Sequence, residues 1–179
     1  MRTLRCFLSI LAVMGCQPRV ASAPASAGVS DPAKYVTTLA DEYLAALREA
    51  VPEINTTQGI PGARHDRLTD NSGAAERVWQ SKEDNFLARL KQVDPSYLIG
   101  RSEWVTYGLL REELESSIAM RACNFRVWNV SPMTGLLANY IPLAQQQPVG
   151  TEDLRAQALA RWHGFPRVVD AEIANLREG

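Results

Sequence analysis

Hydrophobic residues past position 30 recur at steps of three and four, the spacing that puts them on one face of a helix. Asp31-Pro32 places a capping carboxylate before a proline of the first turn, and Val36, Leu39, Tyr43, Leu47 and Ala50 follow. A helix over about 32–50 is predicted, ended by Val51-Pro52. Residues 52–72 carry two prolines and two glycines and no period, so they read as a long loop, and loops of that length usually serve a function. Ser72 is placed to cap a second helix reaching about Val93, with Val78, Trp79, Phe86, Leu90 and Val93 as its buried side. Asp94-Pro95 turns the chain. Ser102 then stands before Trp104, Tyr107, Leu110, Leu114 and Ile118, while Arg111, Glu112, Glu113 and Glu115 lie off that stripe. This third helix should end between Arg121 and Phe125.

Ser131-Pro132 restarts the pattern in a short helix. Met133, Leu136, Leu137, Tyr140 and Ile141 share a face, and Pro142 is expected to stop it. Gln145 to Gly150 reads as a linker, and Thr151 as the cap of the next helix, with Glu152 and Asp153 at its positive end. The last helix carries Phe165, Val168, Val169, Ile173 and Leu176 and is separated from its neighbour by Gly164 and Pro166. No segment alternates with period two. The fold class is therefore all-α: an irregular bundle of about six helices with a long loop near 52–72.

The N-terminus breaks this pattern. Arg2 and Arg5 precede the uncharged, mostly apolar run Cys6 to Cys16. A membrane-crossing helix needs about 20 apolar residues, so the run has the length of a signal peptide instead. It closes on Val13-Met14-Gly15-Cys16, which is similar to the bacterial lipobox, so Cys16 is the expected lipidation site. The alternative is ordinary cleavage after Ala23 or Ala27 and secretion as a soluble protein. The expected layout is a signal peptide over 1–15, a lipid-anchored Ala/Ser/Pro-rich flexible stalk over 16–30 and a helical domain over 31–179, on the periplasmic side of a bacterial membrane.

Composition narrows the function classes. The 179 residues hold 46% hydrophobic and 22% charged positions, an ordinary globular balance. Lys plus Arg is 19 against 20 acids, so no global field favours nucleic acid, and none is expected as a partner. Two histidines and three cysteines without repeated spacing argue against a metal site built by this chain alone. With Cys6 removed and Cys16 acylated, Cys123 is the one remaining thiol, expected as a buried small hydrophobe. His65-Asp66 with Asp70 offers three ligand types, but in a loop without the rigid frame zinc requires; turn formation and capping is the plainer reading. His163 reads as a helix-end residue. Glu112, Glu113 and Glu115 read as a solvated face. The tryptophans Trp79, Trp104 and Trp162 fall on apolar stripes. Trp128 does not, because it lies in the break Phe125-Arg126-Val127-Trp128-Asn129-Val130-Ser131-Pro132.

The order of these features resembles the bacterial domain-of-unknown-function 885 proteins, which are exported and often lipid-anchored. The resemblance rests on Tyr43-Leu44, the loop Gly62-Ala63-Arg64-His65-Asp66-Arg67-Leu68-Thr69-Asp70-Asn71-Ser72 and the helix Tyr107-Gly108-Leu109-Leu110-Arg111-Glu112-Glu113-Leu114-Glu115. It continues through Trp128-Asn129-Val130-Ser131-Pro132 with Leu136-Leu137 to Ile173-Ala174-Asn175-Leu176-Arg177-Glu178-Gly179. It implies a longer, mostly helical protein that looks like a zinc metallopeptidase related to the gluzincins. The metal site of such proteins is a His-Glu-x-x-Pro-Gly-His-His stretch in the C-terminal half. Nothing here matches that stretch, so no catalytic or metal residue carries over, and zinc is expected only in a C-terminal part. The expectation is an N-terminal third of such a protein, inactive alone. Its partners would be the membrane, through the anchor, and that catalytic part or another protein. Arg64, Asp66 and Arg67 of the loop and Trp128 and Asn129 of the break are the candidate cleft-lining residues. Whether the chain is an enzyme stays open at this point, and a stand-alone periplasmic lipoprotein acting as a partner-binding or scaffold module is the alternative.

Overall fold

Asp31 accepts from the Lys34 amide at 3.2 Å and starts α1, Pro32–Ala50. The computed structural model describes residues 30–128, 131, 133 and 136–179. The leader, Cys6, Cys16, the stalk to residue 29, Asn129, Val130, Pro132 and the side chains of Leu136 and Leu137 lie outside the described residues. Five further long helices follow: α3, Gly73–Leu90; α4, Glu103–Met120; α5, Leu136–Gln146; α6, Glu152–His163; and α7, Phe165–Glu178. A single turn, α2, Ile54–Thr57, lies in the expected loop, and short 3-10 turns occupy Pro95–Leu98, Arg121–Cys123 and Phe125–Val127. There is no strand among the described residues. The fold is an all-α multi-helix bundle.

Two apolar clusters hold it. α1, α3 and α4 enclose Val36, Leu39, Tyr43, Phe86, Leu90, Val93, Leu98, Tyr107, Leu110 and Leu114. The Tyr43 ring meets Phe86 edge-on at 5.5 Å, a favoured aromatic geometry. The second cluster joins Leu68, Leu143 and Val168, with Tyr140, Trp162 and Phe165 packed against it. Ser72 and Thr151 cap α3 and α6 by accepting from the amides of Ala75 at 3.3 Å and Leu154 at 3.2 Å. Gly59 leaves α2 with φ 58°, a left-handed conformation that glycine adopts without strain, while the Ile60 amide turns back to the Asn55 carbonyl.

Several expectations need correction. Ser102 sits at the start of α4 in helical geometry without capping it: its hydroxyl donates to Glu103, and the first amides bond the Arg101 and Ser102 carbonyls in a tight turn. Trp104 is 47% exposed, because the core covers α4 along Tyr107, Leu110 and Leu114 and not at its first turn. α3 ends at Leu90, so Val93 is buried from a turn. Val78 is exposed because it faces an open cleft. Pro142 does not stop α5, which runs on to Gln146 and delivers Leu143 to the second cluster. Met133 and Ile141 are exposed. On α7 the buried positions are Val168 and Asn175, and Ile173 and Leu176 are exposed: the inward place near the end of the helix is held by Asn175, which bonds Arg126 and the Asn71 carbonyl. Cys123 is exposed at the end of a 3-10 turn, not buried.

Candidate functional site

The 52–72 segment is irregular but tightly held. Glu53 accepts from the Thr69 amide at 2.8 Å and hydroxyl at 2.6 Å, drawing the two ends of the loop together. Asp70 accepts from the Ser72 amide at 3.0 Å, which holds its carboxyl below the usual carboxylate range and presets the cap of α3. Asn71 donates to Glu172 at 2.7 Å, and its carbonyl accepts from the Asn175 amide group at 2.8 Å. These bonds make the loop a wall.

That wall bounds a cleft of about 870 Å³. Its other sides are Glu49 to Pro52 at the end of α1, the first half of α3 with Trp79 and Lys82, Phe125-Arg126, and Arg167 and Glu172 of α7. Arg126 pins three elements at once. It donates to Glu76 at 2.7 Å, to Asn175 at 2.7 Å and to both oxygens of Glu178 at 2.7 and 2.8 Å. These partners, Glu178 and Glu76 foremost, push its already high pKa up further. Gly73 makes room for it, since a Cβ there would lie 3.2 Å from the guanidinium carbon.

The acids of the cleft are engaged: Glu49 by Arg67 at 3.0 Å, Glu76 by Arg126, Asp70 by Ser72 and Glu172 by Asn71. Among the described residues, Lys82 and Arg167 form no ion pair. The hydroxyls lining the cleft are committed, Thr69 to Glu53 and Ser72 to its cap. No group of three or more His, Cys, Asp or Glu is arranged for a metal ion among the described residues.

The candidate residues fall in different places. Arg67 lines the cleft and pairs with Glu49. Asp66 is mostly covered. Burial works to raise its pKa, but the Arg64 guanidinium, 2.7 Å away, prevails and lowers it. Arg64 itself is exposed on the outer side of that pair. Trp128 is exposed, stacks on Phe125 with ring centroids 5.0 Å apart and donates from its indole to the Cys123 carbonyl at 2.7 Å; Phe125 and Arg126, not Trp128, reach the cleft. Asn129 lies outside the described residues.

Behind the wall is a buried polar cluster with no counterpart in the sequence expectations. Arg161 of α6 is 0% exposed and donates to the Arg67 carbonyl at 2.9 Å, to Thr56 Oγ1 at 2.8 Å and to Gln147 Oε1 at 2.7 Å. His65, 7% exposed, meets the same Thr56 hydroxyl through Nδ1 at 2.9 Å, while its backbone bonds Gln157 and Gln147. Burial, and then the Arg161 charge, keep the imidazole below its ordinary pKa. One signal was available: Leu154, Ala158, Arg161 and Phe165 are spaced as an apolar stripe, with a cation in it.

Residues 52–179, well over half of the chain, match the family described as bacterial protein of unknown function, DUF885. The chain belongs to the DUF885 family. No curated protein and no solved structure matches it. The DUF885 match takes in the loop, the cleft wall and the Arg161 cluster, and begins just after α1.

Proposed function

We propose that this chain is the exported, lipid-tethered, helical N-terminal region of a zinc-metallopeptidase-like protein, packing against a catalytic part and helping to wall its substrate cleft. The single observation carrying this reading is how much large apolar surface the helices leave uncovered. Trp104, Val105 and Leu109 on α4, Ile141 on α5, Leu159 on α6, and Ile173 and Leu176 on α7 are all exposed. Surfaces of this kind, beyond a few hundred Å² when contiguous, mark sites of association. The Lys82 and Arg167 cations beside Trp79 support a binding role for the cleft. The leader and Cys16 support export and anchoring. On this reading zinc belongs to the other part, and the chain alone cleaves no peptide.

Dye binding tests the reading. The purified chain should bind a hydrophobic dye and self-associate, and co-expression with a family segment carrying His-Glu-x-x-Pro-Gly-His-His should suppress both and yield a complex. A soluble, dye-silent monomer that ignores that segment would overturn it in favour of a stand-alone scaffold lipoprotein. Stoichiometric zinc or peptide cleavage by the short chain would overturn it as well. Fatty-acid labelling lost in Cys16→Ser checks the anchor.

A further inference from the structure

The Thr56 hydroxyl stands between two basic side chains. It accepts from Arg161 Nη1 at 2.8 Å and lies 2.9 Å from His65 Nδ1. A hydroxyl has one proton and two lone pairs. One lone pair is committed to Arg161; in the tautomer that carries its proton on Nε2, the neutral ring completes the relay by accepting the hydroxyl proton at Nδ1. Protonation reverses the last bond. Nδ1 then donates into an oxygen that already receives a guanidinium proton, two cations share one hydroxyl inside the protein, and the hydroxyl proton loses its acceptor.

Asp66 attracts a charge on His65, and Glu53 and Asp66 attract Arg161, but neither carboxylate pairs directly with either cation. Asp66, the adjacent carboxylate, is held by Arg64 on its own segment. Glu53, before α2, is occupied by Thr69 and Tyr140, and Asp153 of α6 by Gln157. Arg161 has no carboxylate within ion-pair distance, and its Nη2 has no hydrogen-bond partner among the described residues. Tyr140 on α5 stays neutral: burial, and then Glu53, push its phenol well up. Burial of two positive groups without a directly paired counter-ion is unfavourable.

We propose that His65 is an acid-sensitive latch on the cleft: its protonation by solvent releases the 58–70 segment from α6. The consequence reaches the cleft because Arg161 Nε also holds the Arg67 carbonyl at 2.9 Å, and Arg67, Leu68 and Thr69 form the cleft wall. The imidazole is already held below its ordinary value of 6.5. The latch is thus complete above about pH 6.5 and fails as the pH drops through the lower folded value. It stands independently of the peptidase reading.

Two measurements on the full chain test it. Hydrogen exchange of peptides spanning 58–70, corrected for intrinsic rates, should accelerate between pH 7.5 and pH 5, by about a factor of ten for each pKa unit by which the latch lowers His65. In His65→Asn, whose side-chain oxygen keeps an acceptor near Nδ1, that acceleration should vanish, whereas His163→Asn, at an exposed helix end, should retain it. NMR titration of the His65 ring in the unmodified chain gives a reading that does not depend on any variant folding. A pKa at or above 6.5, exchange in 58–70 that ignores pH, or an identical pH response in His65→Asn would each overturn the latch.

Discussion

The Arg126 guanidinium and the Glu178 carboxylate meet in a two-point pair, at 2.7 and 2.8 Å, across 52 residues of sequence. This fork, with Glu76 and Asn175 on its other donors, ties the 3-10 turn at Phe125–Val127 to the start of α3 and the end of α7. The two ends of the pair are unequal, since the Arg126 side chain is 12% exposed and that of Glu178 60%. Removing the arginine strands the buried Asn175 oxygen and the half-buried Glu76 carboxylate. Arg126→Ala should therefore cost about 2 to 4 kcal/mol, whereas Glu178→Ala should cost no more than about 1 kcal/mol, as for a solvent-screened pair. Urea titrations compare them, and equal losses would refute the hub.

Gly73 sets up a second test of the same contact. A Cβ there must displace the Arg126 guanidinium, so Gly73→Ala should destabilise despite alanine's better helix propensity. In an Arg126→Ala background the same change should be neutral or stabilising. A double-mutant cycle should return a coupling above about 0.5 kcal/mol; additivity would mean that the two groups do not compete for space.

Leu114 is 0% exposed at the centre of the α1, α3 and α4 core. Leu114→Ala should cost about 2 to 5 kcal/mol, measured by thermal or denaturant unfolding; a loss under about 0.5 kcal/mol would mean the stripe is not buried.

Cys123, being exposed, should react with a maleimide in the folded protein as fast as it does after denaturation. Peptide mapping by mass spectrometry distinguishes it from Cys6 and Cys16. Strong protection of Cys123 in the folded state would contradict the placement of its turn.

Stability should also fall at low pH. The Asp70 carboxyl is held down by the Ser72 amide and hydroxyl, and Asp66 by Arg64 against the opposing effect of burial. A carboxylate with a lowered folded pKa adds stability that is complete above its unfolded value, near 3.8, and is lost as pH falls through the folded value. Arg64→Met should move the acid-unfolding midpoint to higher pH; an unchanged midpoint would show that Arg64 does not stabilise the Asp66 carboxylate.

Helix positions were largely legible because their determinants are local. Asp31, Ser72 and Thr151 mark helix starts by accepting from amides three residues on, Gly164 closes α6 by donating its own amide to the Arg161 carbonyl, and the stripe Val36, Leu39, Tyr43 and the pair Leu110, Leu114 are buried as their spacing demands. Errors appeared where burial depends on which neighbour covers a given turn. Trp104, Ile173 and Leu176 follow helical spacing as well as Leu114 does, yet they stay exposed among the described residues. Pro142 was misread for the same reason. Its broken helical bond is a local cost, and the burial of Leu143 that accompanies the continued helix is tertiary.

The cleft was less legible. Arg67 could be assigned to it from the loop alone, but Arg126, Arg167 and Lys82 come from three other elements and share no motif. Arg161, the centre of the buried cluster, is 94 residues from Arg67 and 105 from Thr56. From local patterning the chain by itself determined its helical class, the caps Asp31, Ser72 and Thr151 and the irregular character of 52–72, since turns, caps and periodicity act within a few residues. Only the tertiary structure decided which faces are covered and which distant polar atoms converge on Arg161 and Arg126, because hydrogen bonds and burial depend on distances in space that sequence separation does not encode.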